Sequence, residues 1–243
     1  MAIAVHPTLD SMAVIYNLST EGGADSVRFR SYVDLAGSGH RVHAYNPMTG
    51  NPAALKTVEQ LRAMDAERIV GETLAGFDGL GDMETAVAVL TPGAWTDRLF
   101  TDVRNRRDGA GVVWFWAGEP VDPADIRKAA EAEAVRTMWR RAHGRPQHLL
   151  AFAGQEATVL TSTGFEAAHA DEDVVEIFEI VGDQSDDHTL IAFLVGDEEA
   201  EAADWRGLGL SGDEGPRTVA RWQVEQMSWR EALKVGWVPI PTT

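Results

Sequence analysis

Four side chains stand out as candidates for chemistry. His40 and His43 lie three residues apart in a glycine-rich stretch, and the carboxylates Asp97 and Glu119 each follow an apolar run. Imidazole is the commonest metal ligand and the side chain most readily tuned between acid and base near neutral pH. A carboxylate beside it can hold the ring's tautomer and stabilise its charge. The stretch GSGHRVHAYNPMTGNP at 37–52 reads as a loop, because Gly37, Gly39, Gly50, Pro47 and Pro52 leave no room for a helix. HRVHAY within it has the look of a short strand. On a strand, the spacing of His40 and His43 aims the rings at opposite faces; on a helical turn the rings converge. Loops held by a rigid frame often carry function. His40 and His43 are therefore read both as acid–base groups and as ligands of a divalent metal, with Asp97 and Glu119 as carboxylates of the same cleft.

Other constellations are weaker. Glu166-x-x-His169 has the spacing of a di-iron helix motif, but such a centre needs a second copy and the chain holds none. Asp183, Asp186, Asp187 and His188 form an acidic turn without the alternate acidic residues and later glutamate of a calcium loop. Gly207-Leu-Gly209-Leu-Ser-Gly212 matches the letters of a dinucleotide fingerprint. No buried strand precedes it, and Asp213 and Glu214 would repel a pyrophosphate. Walker, HExxH and GxSxG patterns are missing. His143 and His148 flank a helix end, where they would stabilise its carbonyls, and His6 precedes a proline.

The frame that must position these groups is most legible at 111–144. Val112 to Trp116 is an uninterrupted β-branched and aromatic run between Gly111 and Gly118, as expected of a strand covered on both faces. A helix follows, with Asp122 as N-cap, Pro123 at its first position and Asp125 in its first turn. Ile126, Ala130, Ala134, Val135, Met138, Trp139 and Ala142 make its apolar stripe, and Gly144 its stop. Ala86 to Leu90 reads as a second buried strand, followed by a helix over about 94–106. Strand, helix, strand, helix over about 85–143 is a βαβα unit, with parallel pairing. In such sheets ligands bind outside the carboxyl ends of the strands. Asp97 and Glu119 follow those ends.

Elsewhere the pattern predicts helices over 8–20, 24–36 and from Pro52 toward Leu74. A helix plus strand or a hairpin is expected over 149–163, a helix over 172–182 and a strand over Thr189–Val195. A last helix is expected to open at Pro216, with WVPIPTT extended beyond it. The fold class is α/β: a small, mainly parallel sheet with many flanking helices, in a single domain over 1–243, with a weak boundary near 145 where composition changes.

Composition bounds the function. The chain of 243 residues has no cysteine, which removes disulfides, thiolate catalysis, cysteine-ligated zinc and iron–sulfur clusters. Its net charge of −17 argues against nucleic acid or an anionic membrane as partner. MAIAVHPTLD lacks the features of a signal peptide, and no apolar run has transmembrane length, so a soluble cytoplasmic protein is expected. Lysine occurs only at 56, 128 and 234, and no lysine or arginine lies between Arg145 and Arg206. Two functional readings follow. One is an enzyme acting on a small molecule through the cleft at the strand ends, with a divalent metal or His/carboxylate acid–base chemistry. The other is a non-catalytic module that binds a protein through its acidic 166–204 surface or its Trp-rich C-terminal helix.

Overall fold

The computed structural model describes residues 2–17, 52–90, 110–164, 172–201, 205–210 and 214–236. Its chain divides into two compact units, Met1–Thr137 and Met138–Thr243. The first holds a sheet of three parallel strands in sequence order, β1 (Ile3–His6), β2 (Met83–Leu90) and β3 (Ala110–Trp116). With it lie the helices α1 (Leu9–Tyr16), α2 (Pro52–Ala63), α3 (Ala66–Ala75) and the first part of α4 (Pro123–His143). The expected α/β class, with a small parallel sheet and many helices, is what the chain adopts. β2 and β3 are the two strands read from their apolar runs, and they pair in parallel from Glu84↔Ala110 to Leu90↔Trp116. The helix expected over 94–106 lies outside the described residues, as do the 24–36 helix, the HRVHAY strand and the WVPIPTT tail.

β1 was not anticipated. Four residues are too few to show an alternating pattern, and the strand is defined by its partner. Among the described residues it leaves half of β2 unpaired on that side. The gap is filled from α1: the Thr8 hydroxyl donates to the Val87 carbonyl, and the Tyr16 hydroxyl donates to the Val89 carbonyl at 2.9 Å. Glu67 of α3 in turn accepts from the Thr8 and Leu9 amides at 2.7 and 3.0 Å, satisfying the start of α1.

Val5, Thr85 and Gly111 lie in register across the sheet and share one face. Gly71 of α3 approaches so closely that a β-carbon there would sit 3.3 Å from Val5 Cγ2. At Gly111 a β-carbon would meet Glu133 Oε1 of α4 at 2.7 Å, so α3 and α4 cover the same face. α4 starts as expected: Asp122 Oδ1 accepts from the Ala124 and Asp125 amides, while Asp125 accepts from the Asp122 amide. Its stripe of Ile126, Ala130, Ala134, Val135 and Trp139 is buried. α2 and α3 are two helices rather than one, because Asp65 adopts a left-handed φ of 55° between them.

The second unit is helical in its described residues: α5 (Leu149–Thr163), α6 (Glu172–Val181), α7 (Asp187–Val195), α8 (Asp197–Glu201), α9 (Glu214–Gln226) and α10 (Trp229–Val235). Two expectations need correction here. The run Thr189–Val195 is a helix, not a strand. Its flanks carry the reason: the Asp186 carboxylate accepts from the Thr189 amide at 2.9 Å as an N-cap, and Gly196 at φ 87° ends the helix. A run of uninterrupted apolar residues lacks the periodicity that separates strand from helix. The 149–163 segment is likewise one helix without a strand. The C-terminal helix is broken at Ser228, which starts α10 with a reciprocal capping box to Glu231.

Candidate functional site

The carboxyl edge of the sheet is built from three places. Leu90 and Trp116 end their strands side by side. Beyond Trp116 the chain turns at Ala117–Glu119, where the Glu119 amide donates to the Trp116 carbonyl at 3.4 Å and Gly118 takes a φ of 90°. A side chain at that φ would be strained, which is why glycine stands there. The turn is tied to α2: the Gly118 amide donates to Thr57 Oγ1 at 3.0 Å, and the same hydroxyl donates to the Ala53 carbonyl at 3.2 Å. Thr57 is buried, so the tie is shielded from water. Glu119 itself is exposed, as is Asp122 after it, while Trp116 is partly exposed.

Of the four residues singled out from the sequence, Glu119 is thus at the strand end where it was expected. His40, His43 and Asp97 lie outside the described residues. Among the described residues no cluster of three or more histidine or acidic side chains is arranged to hold a metal ion, and no helix is long and apolar enough to cross a membrane.

The remaining motifs have structural employment. Asp186 caps α7. Burial alone would raise its carboxyl, but the Thr189 amide and hydroxyl and the nearby His188 outweigh that and hold it below the usual carboxylate range. His188 stacks on Trp205, ring centroids 4.0 Å apart and planes within 20°. Glu166 and His169 fall outside the described residues.

Two glycines of the fingerprint-like loop, Gly207 and Gly209, serve the Asp197 carboxylate; Gly212 lies outside the described residues. Asp197 Oδ1 accepts from the Leu208 amide at 2.7 Å, and Oδ2 from the Gly209 amide at 2.8 Å. A β-carbon at Gly207 would collide with that carboxylate, and Gly209 has a φ of 88°. Backbone amides that would face phosphate in a nucleotide site are here taken by the protein's own side chain. Charge-assisted bonds of this kind hold a loop, so Asp197→Ala is expected to cost about 1–2 kcal/mol by urea denaturation and to speed exchange of the Leu208 and Gly209 amides. Unchanged exchange at those amides would remove this account of the glycines.

Two polar features had no signal in the sequence. One is Glu133, fully buried on α4 against Gly111, with the Thr137 hydroxyl at 3.4 Å and the Arg136 guanidinium at 3.9 Å. Its burial depends on the sheet beneath it, which helix periodicity cannot reveal. The other is an open depression of about 490 Å³ lined by Leu9, Asp10, Glu59, Arg62, Asp65 and Glu67. Arg62 spans it to Asp10 at 2.7 Å, yet both side chains are largely in solvent. An exposed pair of this kind contributes little.

Comparison with protein families, curated proteins and solved structures gave no match.

Proposed function

We propose that this protein is a soluble, cytoplasmic α/β protein that binds a small molecule at the carboxyl edge of its sheet and acts on it by acid–base chemistry. Glu119 forms one wall. His40, His43 and Asp97 complete the site, with the two histidines as proton-transfer groups or as ligands of a divalent metal. The observation that carries this reading is the fastened turn: Thr57 pins the backbone of Gly118 and fixes where Glu119 begins. Chain continuity supports the rest. His43 precedes Pro52, the first residue of the helix that bears Thr57, by nine residues, and Asp97 follows Leu90 by seven. In open parallel sheets ligands bind outside the carboxyl ends of the strands.

The test is a metabolite and metal screen by thermal shift on the full chain, repeated on Glu119→Gln and on a His40→Ala/His43→Ala double variant. A ligand that raises the wild-type midpoint should lose at least about tenfold in affinity in each variant, corresponding to one charge-assisted contact of about 1.4 kcal/mol or more. Metal content measured on the purified protein should fall in the double variant if the histidines are ligands. Retained affinity in both variants would move the site elsewhere.

A second reading has an observation of its own. On α6, Ile180 is 71% exposed and stands beside exposed Glu176 and Glu179. An apolar side chain among carboxylates suits a basic, partly apolar protein partner docking on the 166–204 surface. Ile180→Asp would abolish such an association and leave small-molecule binding unchanged.

A further inference from the structure

Two histidines fasten the two ends of the Gly144–Gln147 connection between α4 and α5, and they do so in opposite protonation roles. His143, the last residue of α4, lies with Nε2 2.6 Å from the Leu233 carbonyl of α10. A carbonyl only accepts, so Nε2 must carry a proton. The ring also lies against Trp139, centroids 5.0 Å apart, and Trp139 Nε1 donates to the Gly236 carbonyl just beyond α10. Gly236 is needed there, because a β-carbon would sit 2.6 Å from His143 Nδ1. His148 does the reverse. It is the N-cap of α5: its carbonyl accepts from the Ala151 amide at 3.0 Å, and its ring Nδ1 accepts from the same amide at 3.3 Å. The ring contact exists only while Nδ1 is bare.

We propose that this connection is a proton-sensitive fastening in which protonation tightens His143 on α10 and releases the His148 ring from the first turn of α5. At His143 the added charge falls at the carbonyl ends of α4 and α10, where cations are favoured. Arg140 and Arg141 on the same helix and Lys234 on α10 oppose that gain. At His148 protonation turns an acceptor into a donor facing another donor, and places a cation at the positive end of α5. Around His148, Arg145 in the connection adds to the repulsion. Asp183 works against it, since the Gly182 and Gln184 carbonyls on either side of Asp183 hold the Leu150 and Leu149 amides at 3.0 and 2.9 Å. Acid thus shifts hold from the N-terminus of α5 to the C-terminal end of α10, without requiring the rest of the unit to unfold.

Amide hydrogen exchange read residue by residue on the full chain tests this, comparing about pH 7.5 with about pH 5.5. After correction for intrinsic rates, the Ala151 amide should exchange roughly two- to threefold faster at the lower pH, the low end of a lost cap, because it keeps its bond to the His148 carbonyl. The Gly236 amide, bonded to the Ala232 carbonyl, should exchange more slowly. His148→Asn supplies a cap that does not titrate, so it should erase the α5 response and leave that of α10. His143→Gln should do the opposite. A response of the same sign at both ends, no response, or an α5 response that survives in His148→Asn would each overturn the proposal. Ring nitrogen shifts of the unmutated protein give a check independent of any variant: both neutral rings should carry their proton at Nε2, and an Nδ1–H tautomer at either would also overturn it.

Discussion

Phe193→Ala is expected to cost about 3–5 kcal/mol of unfolding free energy, a large share of the 5–15 kcal/mol that holds a typical domain together. The ring is fully buried on α7, 5.3 Å from that of Phe178 on α6. Its other side meets α9 at Gly215, where a β-carbon would come within 2.7 Å of the Phe193 carbonyl and 2.9 Å of Cζ. Removing the ring therefore opens a space one wall of which is bare glycine backbone, so nothing from Gly215 can fill it. The lost transfer energy and the unfilled cavity add. Phe193→Leu keeps most of the volume and should cost under about 2 kcal/mol. Urea denaturation followed by tryptophan fluorescence measures both. A loss below about 1 kcal/mol in the alanine variant would mean that the three helices do not pack through this ring.

The same residue shows where sequence reasoning worked and where it failed. TLIAFLV is apolar throughout, and in a segment with no polar face, periods of two and of 3.6 leave the same trace. What distinguishes them is at the ends, in the Asp186 cap and the Gly196 stop, and those signals are as short as any turn. α4 was legible for the opposite reason. Its polar face is intact, so stripe, cap and stop agree over 21 residues. β2 and β3 were legible because glycines bound their runs. β1 was not, since its identity lies in pairing with Met83 to Ala86, eighty residues away. Of the candidate site, Glu119 could be located from the strand preceding it. Thr57 could not: its role depends on α2 meeting a turn sixty-one residues later in the chain. Glu133 and the Asp197 loop share that character. Each polar group is held by chain remote enough that no local pattern records the contact.

Tyr16 offers a prediction in which burial becomes a dependence on pH. Its side chain is almost wholly inaccessible, and desolvation raises its phenol well above the ordinary tyrosine value. The hydroxyl donates to the Val89 carbonyl, on the stretch of β2 that β1 is too short to reach. A phenolate could neither make that bond nor be hydrated there. The unfolded chain, by contrast, loses the phenolic proton near pH 10. Below that pH both states hold the proton, and the stability linked to it is fully present. Above it the unfolded state binds fewer protons than the folded one, so stability falls as pH rises. The slope approaches about 1.4 kcal/mol per pH unit until the folded value is reached. Tyr16→Phe should show two signatures at once. Near neutral pH it should lose about 1–3 kcal/mol, because the Val89 carbonyl is left buried without that donor. Between about pH 10 and 11.5 its stability should fall less steeply than that of the unmutated protein, by about one proton's worth of slope. Denaturant midpoints collected across that range separate the two terms. A phenylalanine variant with an unchanged alkaline slope would show that Tyr16 ionises in the folded state, and that α1 does not seal this side of the sheet from water.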